Sequence, residues 1–233
     1  MEKIEINQNT DITKTNVSRY SPREEKYNTI SHAVGIIFGL LAGIVLLTVA
    51  IPTGNGWLIG SYTVFAVFMT MMFTTSTLYH AEKKETRKFI LRKFDHAAIY
   101  CLIAGSYTPF TLVLLRNEGY WGWLLFAVVW TAAIAGVIFS FTNLQNAGKL
   151  ETICYLAMSW VVIFAFKPLI HVLTAANSMQ VFYWLIGGGV FYTLGTILYR
   201  MKKINYTHAV WHLFVLGGCI CHAYAIWLIA RIA

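Results

Sequence analysis

Three histidines, His80, His208 and His212, stand at the ends of long apolar segments, and Asp95 opens another such segment. His208 and His212 are four residues apart. On a helix that spacing stacks both on one face, about 6 Å apart along the axis. Two imidazoles so placed can chelate one ion, as in the helical H-E-x-x-H zinc motif. HxxxH alone is a weak signal, because it often arises by chance. His80 supplies a third nitrogen from a different segment, and Ser76 sits one turn before it on the same face. Three imidazoles with no fourth strong ligand describe a catalytic zinc site with one position left for water. Iron, copper and nickel also accept imidazole, so the metal is less secure than the site. Asp95 could orient the water, act as its base, or support a ligand from behind. The competing reading leaves each histidine interfacial and merely hydrogen-bonded. It weakens once all four residues are found at one depth.

The elements that must position these residues are membrane spans. The chain has 233 residues, 58% of them hydrophobic and only 12% charged, with mean hydropathy +0.60. A soluble domain carries roughly 25% charged residues. Segments of about 20 apolar residues cross a bilayer, and seven can be read: Ile30–Ile51, Trp57–His80, Phe94–Leu115, Tyr120–Phe141, Thr152–Leu173, Gln180–Arg200 and Thr207–Ala230. No period-2 alternation supports a β-barrel. The expected fold is therefore an all-α, seven-helix transmembrane bundle over residues 30–233, preceded by a polar tail over residues 1–29. That tail has no apolar core of a signal peptide, and its composition suits partial disorder. Cys101, Cys154, Cys219 and Cys221 all lie within apolar spans and read as buried packers, with no disulfide framework or CxxC motif.

Charge placement orients the bundle. Lys3, Lys14, Arg19, Arg23 and Lys26 lie in the tail. Lys83, Lys84, Arg87, Lys88, Arg92 and Lys93 lie between spans two and three. Lys149 follows span four, and Arg200, Lys202 and Lys203 follow span six. These 15 fall on one side, against Arg116 and Arg231 on the other, with Lys167 inside a span. The positive-inside rule places the N-terminus in the cytoplasm and the C-terminus outside. The formal charge of +8 then serves orientation and anionic headgroups, so no nucleic acid is called for. In that topology His80, Asp95, His208 and His212 share the cytoplasmic end of the bundle. Polar groups at such depth are costly and mark function when clustered.

Ser76-Thr-Leu-Tyr-His80, Asp95-His96 and His208-Ala-Val-Trp-His212 together resemble the motifs of the hemolysin III family, part of the progestin and adipoQ receptor superfamily with the adiponectin receptors, and more distantly the alkaline ceramidases. The resemblance covers essentially all seven spans. It implies a seven-helix bundle with zinc on His80, His208 and His212, Asp95 touching the metal-bound water, and Ser76 close by. The long N-terminal domain of the animal receptors is missing, so hormone recognition is not implied.

Other polar residues are open to two readings each. His32 could line the same cavity, although interfacial packing is the plainer role. His96 is about 100° around the helix from Asp95 and should face elsewhere. His222 either hydrogen-bonds within the bundle or shapes the cavity, and His171 sits on the outer side. Lys167-Pro168 and Pro109 suggest bends in spans five and three. Gly187-Gly188-Gly189 offers close helix approach or local flexibility. Trp57, Trp121, Trp123 and Trp184 are interfacial anchors.

Three functions compete. The first is a zinc-dependent hydrolase of lipid amides or esters, with Asp95 and Ser76 as its catalytic groups and membrane lipids or fatty acids as partners. The second is a non-enzymatic regulator of membrane lipid homeostasis with a structural zinc. The third, a pore-forming haemolysin (cytolysis), has little support, because released pore-formers are soluble first. Ion transport lacks a chain of ionisable residues. Substrate and oligomeric state are not readable.

Overall fold

The computed structural model describes residues 20–142, 148–201 and 205–232. Eight α-helices follow in order: α1 (Pro22–Ala50), α2 (Gly56–Ala81), α3 (Glu85–Pro109), α4 (Trp121–Thr142), α5 (Gly148–Ser159), α6 (Phe166–Ala175), α7 (Gln180–Arg200) and α8 (Thr207–Ile229). There is no strand among the described residues. A 3-10 turn over Val161–Ala165 joins α5 to α6 into one crossing, so seven helices are long and apolar enough to span a membrane. The chain is a multi-pass membrane protein. α3 and α8 are the most buried crossings, and α5–α6 and α7 the least.

Two helices begin earlier than their apolar patterns suggest. α1 starts at Pro22, eight residues before Ile30, and α3 starts at Glu85, nine before Phe94. Both openings are polar, and hydropathy detects only the part of a helix that meets hydrocarbon. The α1 start carries its own signal. Ser21 Oγ accepts the Glu24 amide at 3.3 Å, the Glu24 carboxylate accepts the Ser21 amide at 2.9 Å, and Pro22 occupies the first helical position. That is a complete capping box. The expectation of a disordered tail thus concerns residues 1–19, which lie outside the described residues, whereas residues 22–29 are helical.

The prolines act as expected. Pro109 is followed by a π-helical turn over Phe110–Leu114. Pro168 lacks an amide proton, and its ring would clash with the carbonyl of Phe164 four residues back. Phe164 lies in the 3-10 turn that interrupts the fifth crossing.

Close packing at small residues sets the helix pairs that matter here. Gly35, Gly39 and Gly43 lie one turn apart along α1 and face α2. A β-carbon at Gly39 would come 2.8 Å from Thr70 Oγ1 and 3.3 Å from its Cα. Lipid offers no hydrophobic drive for helix association, so such contacts carry it. Ile30, Val34, Ile37, Leu41 and Ile44 cover the outward face of α1. Of the four glycines in α7, Gly188 makes the closest approach: a β-carbon there would meet His222 Cδ2 at 2.2 Å.

Candidate metal centre

Alternating passes bring the start of α1, the end of α2 and the starts of α3 and α8 to one end of the bundle. His80 closes α2, and His208 and His212 open α8 one turn apart. The helical stacking foreseen for the HxxxH pair is observed, with His208 Nε2 and His212 Nε2 3.1 Å apart. His80 Nε2 lies 3.1 Å from His208 Nε2 although the residues are 128 positions apart. All three residues are buried. One nitrogen from each falls within a 4.8 Å cluster, so the group could hold a metal ion.

The donor set itself fits a cation. Neutral imidazole offers one lone pair per ring, and three ring nitrogens converge from two helices. His208 Nδ1, on the far side of its ring from the cluster, is buried with no hydrogen-bond partner among the described residues.

The outer faces of two of these rings are held by α1, from which the sequence offers only His32 as a candidate for the site. His80 Nδ1 lies 2.6 Å from Glu25 Oε2, and Glu25 Oε1 accepts from Lys88 Nζ at 2.7 Å. His212 Nδ1 lies 2.9 Å from Ser31 Oγ. Tyr20 stacks on His208 with centroids 4.7 Å apart and planes 24° apart. Glu25 was hidden because it had been placed in the tail. With the capping box recognised, Glu25, Asn28 and His32 become a polar stripe at helical spacing, which would have exposed it.

Asp95 and Ser76 fare differently. Asp95 lines a large, partly open cavity, whose walls are mostly apolar and come chiefly from α3, α5, α7 and α8. Asp95 also lines a smaller neighbouring cavity, which His208 borders together with His96, Glu151, Thr196 and Tyr199. Ser76 is buried on α2 but is not on the wall of either cavity.

The remaining histidines sort by partner. His32 is fully buried, lines the large cavity and rests 3.6 Å from the His212 ring, centroid to centroid. Neither of its nitrogens has a hydrogen-bond partner among the described residues. His96 was expected to face elsewhere but borders the smaller cavity beside Asp95 and His208, where it pairs with Glu151, Nδ1 2.6 Å from Oε2. His222 does both things considered for it: Nε2 lies 3.3 Å from the Leu185 carbonyl oxygen, and the ring lines the large cavity. His171 is exposed, 3.5 Å from Glu118.

Comparison with known proteins places this architecture. A family model described as "Haemolysin-III related" matches residues 20–223. The chain is 40% identical over 196 residues to Hemolysin-3 of Bacillus cereus, covering 84% of this chain and 87% of that protein. It is 41% identical over 199 residues to a Hemolysin-3 homolog of Bacillus subtilis (strain 168), covering 85% and 91%. It is 28% identical over 217 residues to the human Monocyte to macrophage differentiation factor, covering 90% and 86%.

Proposed function

Because the chain belongs to the haemolysin-III related family, we propose that its three imidazoles bind zinc and that it hydrolyses an amide or ester bond in a membrane lipid, from a site on the cytoplasmic side. One observation carries this reading. His208, one of the three clustered imidazoles, borders the smaller, more polar cavity, and Asp95 stands on the wall shared between that cavity and the large apolar one. A lipid needs both compartments, one for the polar linkage and one for the chain.

Zinc suits the site because tetrahedral Zn–N bonds of about 2.0–2.1 Å separate neighbouring nitrogens by about 3.3 Å, close to the 3.1 Å seen twice here. Bound there, it would supply Lewis acidity at the scissile carbonyl. The protein's own groups do the rest. The apolar walls hold the acyl chain and exclude bulk water. Asp95 accepts the proton of the attacking water and passes it to the leaving amine or alcohol. Ser76, off both cavity walls, is given no proton to move. Membrane lipids or fatty acids are the partners, and Lys83, Lys84 and Arg87 face anionic headgroups of the inner leaflet.

The test is fatty-acid release by purified protein from a panel of lipid amides and esters, beside a His208→Ala control, with metal content measured on both. About one zinc per chain and release above the control are expected. Zinc without release from any lipid would sink the hydrolase.

That last outcome would favour a second reading, a regulator of membrane lipid state with structural zinc. Its supporting observation is that the cluster joins α2 to α8, while Glu25 and Ser31 tie the same rings to α1. The relatives' name raises cytolysis as a third activity. Dose-dependent dye leakage from liposomes at low protein-to-lipid ratio would support it.

A further inference from the structure

We propose that α1, which contributes no metal ligand, is the positioning element of the metal centre: Glu25 and Ser31 select the tautomer and ring orientation in which His80 and His212 turn Nε2 lone pairs toward the ion. The inference rests on the metal-binding reading above and extends it to residues that the sequence motifs do not contain.

Proton accounting at the two rings leads there. A neutral imidazole has one N–H and one lone pair, and whichever nitrogen donates leaves the other as acceptor. Glu25 pairs with Lys88 Nζ at 2.7 Å, and as a carboxylate it can only accept. The 2.6 Å contact with His80 Nδ1 therefore puts the ring proton on Nδ1 and the lone pair on Nε2. Ser31 reaches the same result by different chemistry. Its single hydroxyl proton is donated to the Asn28 carbonyl at 2.9 Å. Its oxygen is then left to accept from His212 Nδ1 at 2.9 Å, and the lone pair again falls on Nε2. Both freed nitrogens are the ones that converge, 3.1 Å from His208 Nε2 on either side. Two unrelated acceptors, six residues apart on one helix, thus impose one outcome.

His208 is the exception that identifies the device. Its Nδ1 has no hydrogen-bond partner among the described residues, and its ring packs against aromatic rings, Tyr20 stacked at 4.7 Å and Trp211 tilted at 5.1 Å. Stacking holds the plane of this ring but does not choose its tautomer. Only the two ligands facing α1 are preset. The Glu25–Lys88 pair is itself buried, with side chains 12% and 4% exposed. Such a pair is weak evidence for stability as such, and a positional role gives it a purpose at this place.

Partners behind metal-bound histidines typically hold about 10- to 100-fold in metal affinity. The decisive variants are Ser31→Ala, which deletes one oxygen, and Glu25→Gln combined with Lys88→Met, which avoids a stranded buried cation. Zinc affinity of the full-length protein would be measured by chelator competition, with the melting temperature of the metal-free protein as a check on folding. Ser31→Thr, which restores the hydroxyl, is the rescue. Histidine ¹⁵N shifts of the metal-free protein would report the tautomers directly. We expect a tenfold or greater loss of affinity in both variants, recovery in Ser31→Thr, and Nδ1–H tautomers at His80 and His212. Affinities within twofold of wild type, or Nε2–H tautomers at these two rings, would overturn the inference while leaving zinc binding intact. A wild type that binds no zinc would remove the metal reading instead, and the ¹⁵N shifts would still decide whether α1 sets the tautomers.

Discussion

Asp95 and the three histidines occupy neighbouring positions but should fail in different ways when changed. Asp95 is on the cavity walls and is not among the three clustered imidazoles. Asp95→Asn is expected to keep the metal and lose turnover by roughly 10²- to 10⁴-fold, the usual contribution of a proton-transferring group. His208→Ala removes the central ring of the cluster and should lose metal and turnover together. Metal analysis beside initial rates separates the two. Metal loss in Asp95→Asn would make the carboxylate a ligand and return the proton step to another group. These four side chains were legible as a set because their types are rare in apolar spans. Glu25 was not, because hydropathy ended α1 short of it, and Ser76 satisfied the spacing rule without reaching either cavity wall.

Among the helices, α1 and α7 offer a contrast. Gly39 sits against the Cα and Oγ1 of Thr70, and backbone cannot swing aside as a side chain can. Gly39→Ile should push α1 off α2. Overpacking of about 1–3 kcal/mol corresponds to a fall in melting temperature of roughly 5 °C for a chain of this size. Glu25 and Ser31 move with α1, so metal affinity should fall too. Gly188→Ala crowds His222 instead. His222 lies ten residues beyond His212, about 15 Å along α8. A comparable loss of stability with unchanged metal affinity is expected there. Thermal melts and metal titrations of the two variants test the distinction, and equal metal loss in both would mean that any loosening of the bundle releases the ion. The break in the fifth crossing belongs to this scale as well. Pro168 announced an irregularity, but its effect lies several residues upstream, at the carbonyl its ring would strike.

The whole molecule is a bundle whose central crossings, α3 and α8, carry Asp95 and two of the imidazoles, with α1 and α2 closing one side. An ion bound only by the folded arrangement stabilises it by about 2.7 kcal/mol when present at 100 times its Kd. Stripping the metal should lower the melting temperature by roughly 5–10 °C, reversed by adding zinc back. An unchanged melt after verified metal removal would argue against the cluster as a tie between helices. The charge asymmetry makes a separate prediction. Reporter fusions after Lys84 should read cytoplasmic and fusions at Ala233 extracytoplasmic, and the reverse pattern would put the metal centre on the outer face.

Apolar runs, helical spacing and basic loops are local properties of the chain. From them alone came the seven crossings, the stacking of His208 over His212, and the expectation that His80 would share their depth. Three matters depended on how distant segments pack. The convergence of Nε2 atoms from α2 and α8 needs a particular helix pairing. The place of Asp95 on a wall between a polar and an apolar cavity depends on α5 and α7 as well. The hold of Glu25 and Ser31 on the outer faces of His80 and His212 requires α1 to approach α2 along its glycines. Hydropathy is blind to rotation about a helix axis and to which helix lies next to which, and those two quantities decide where a ring nitrogen points.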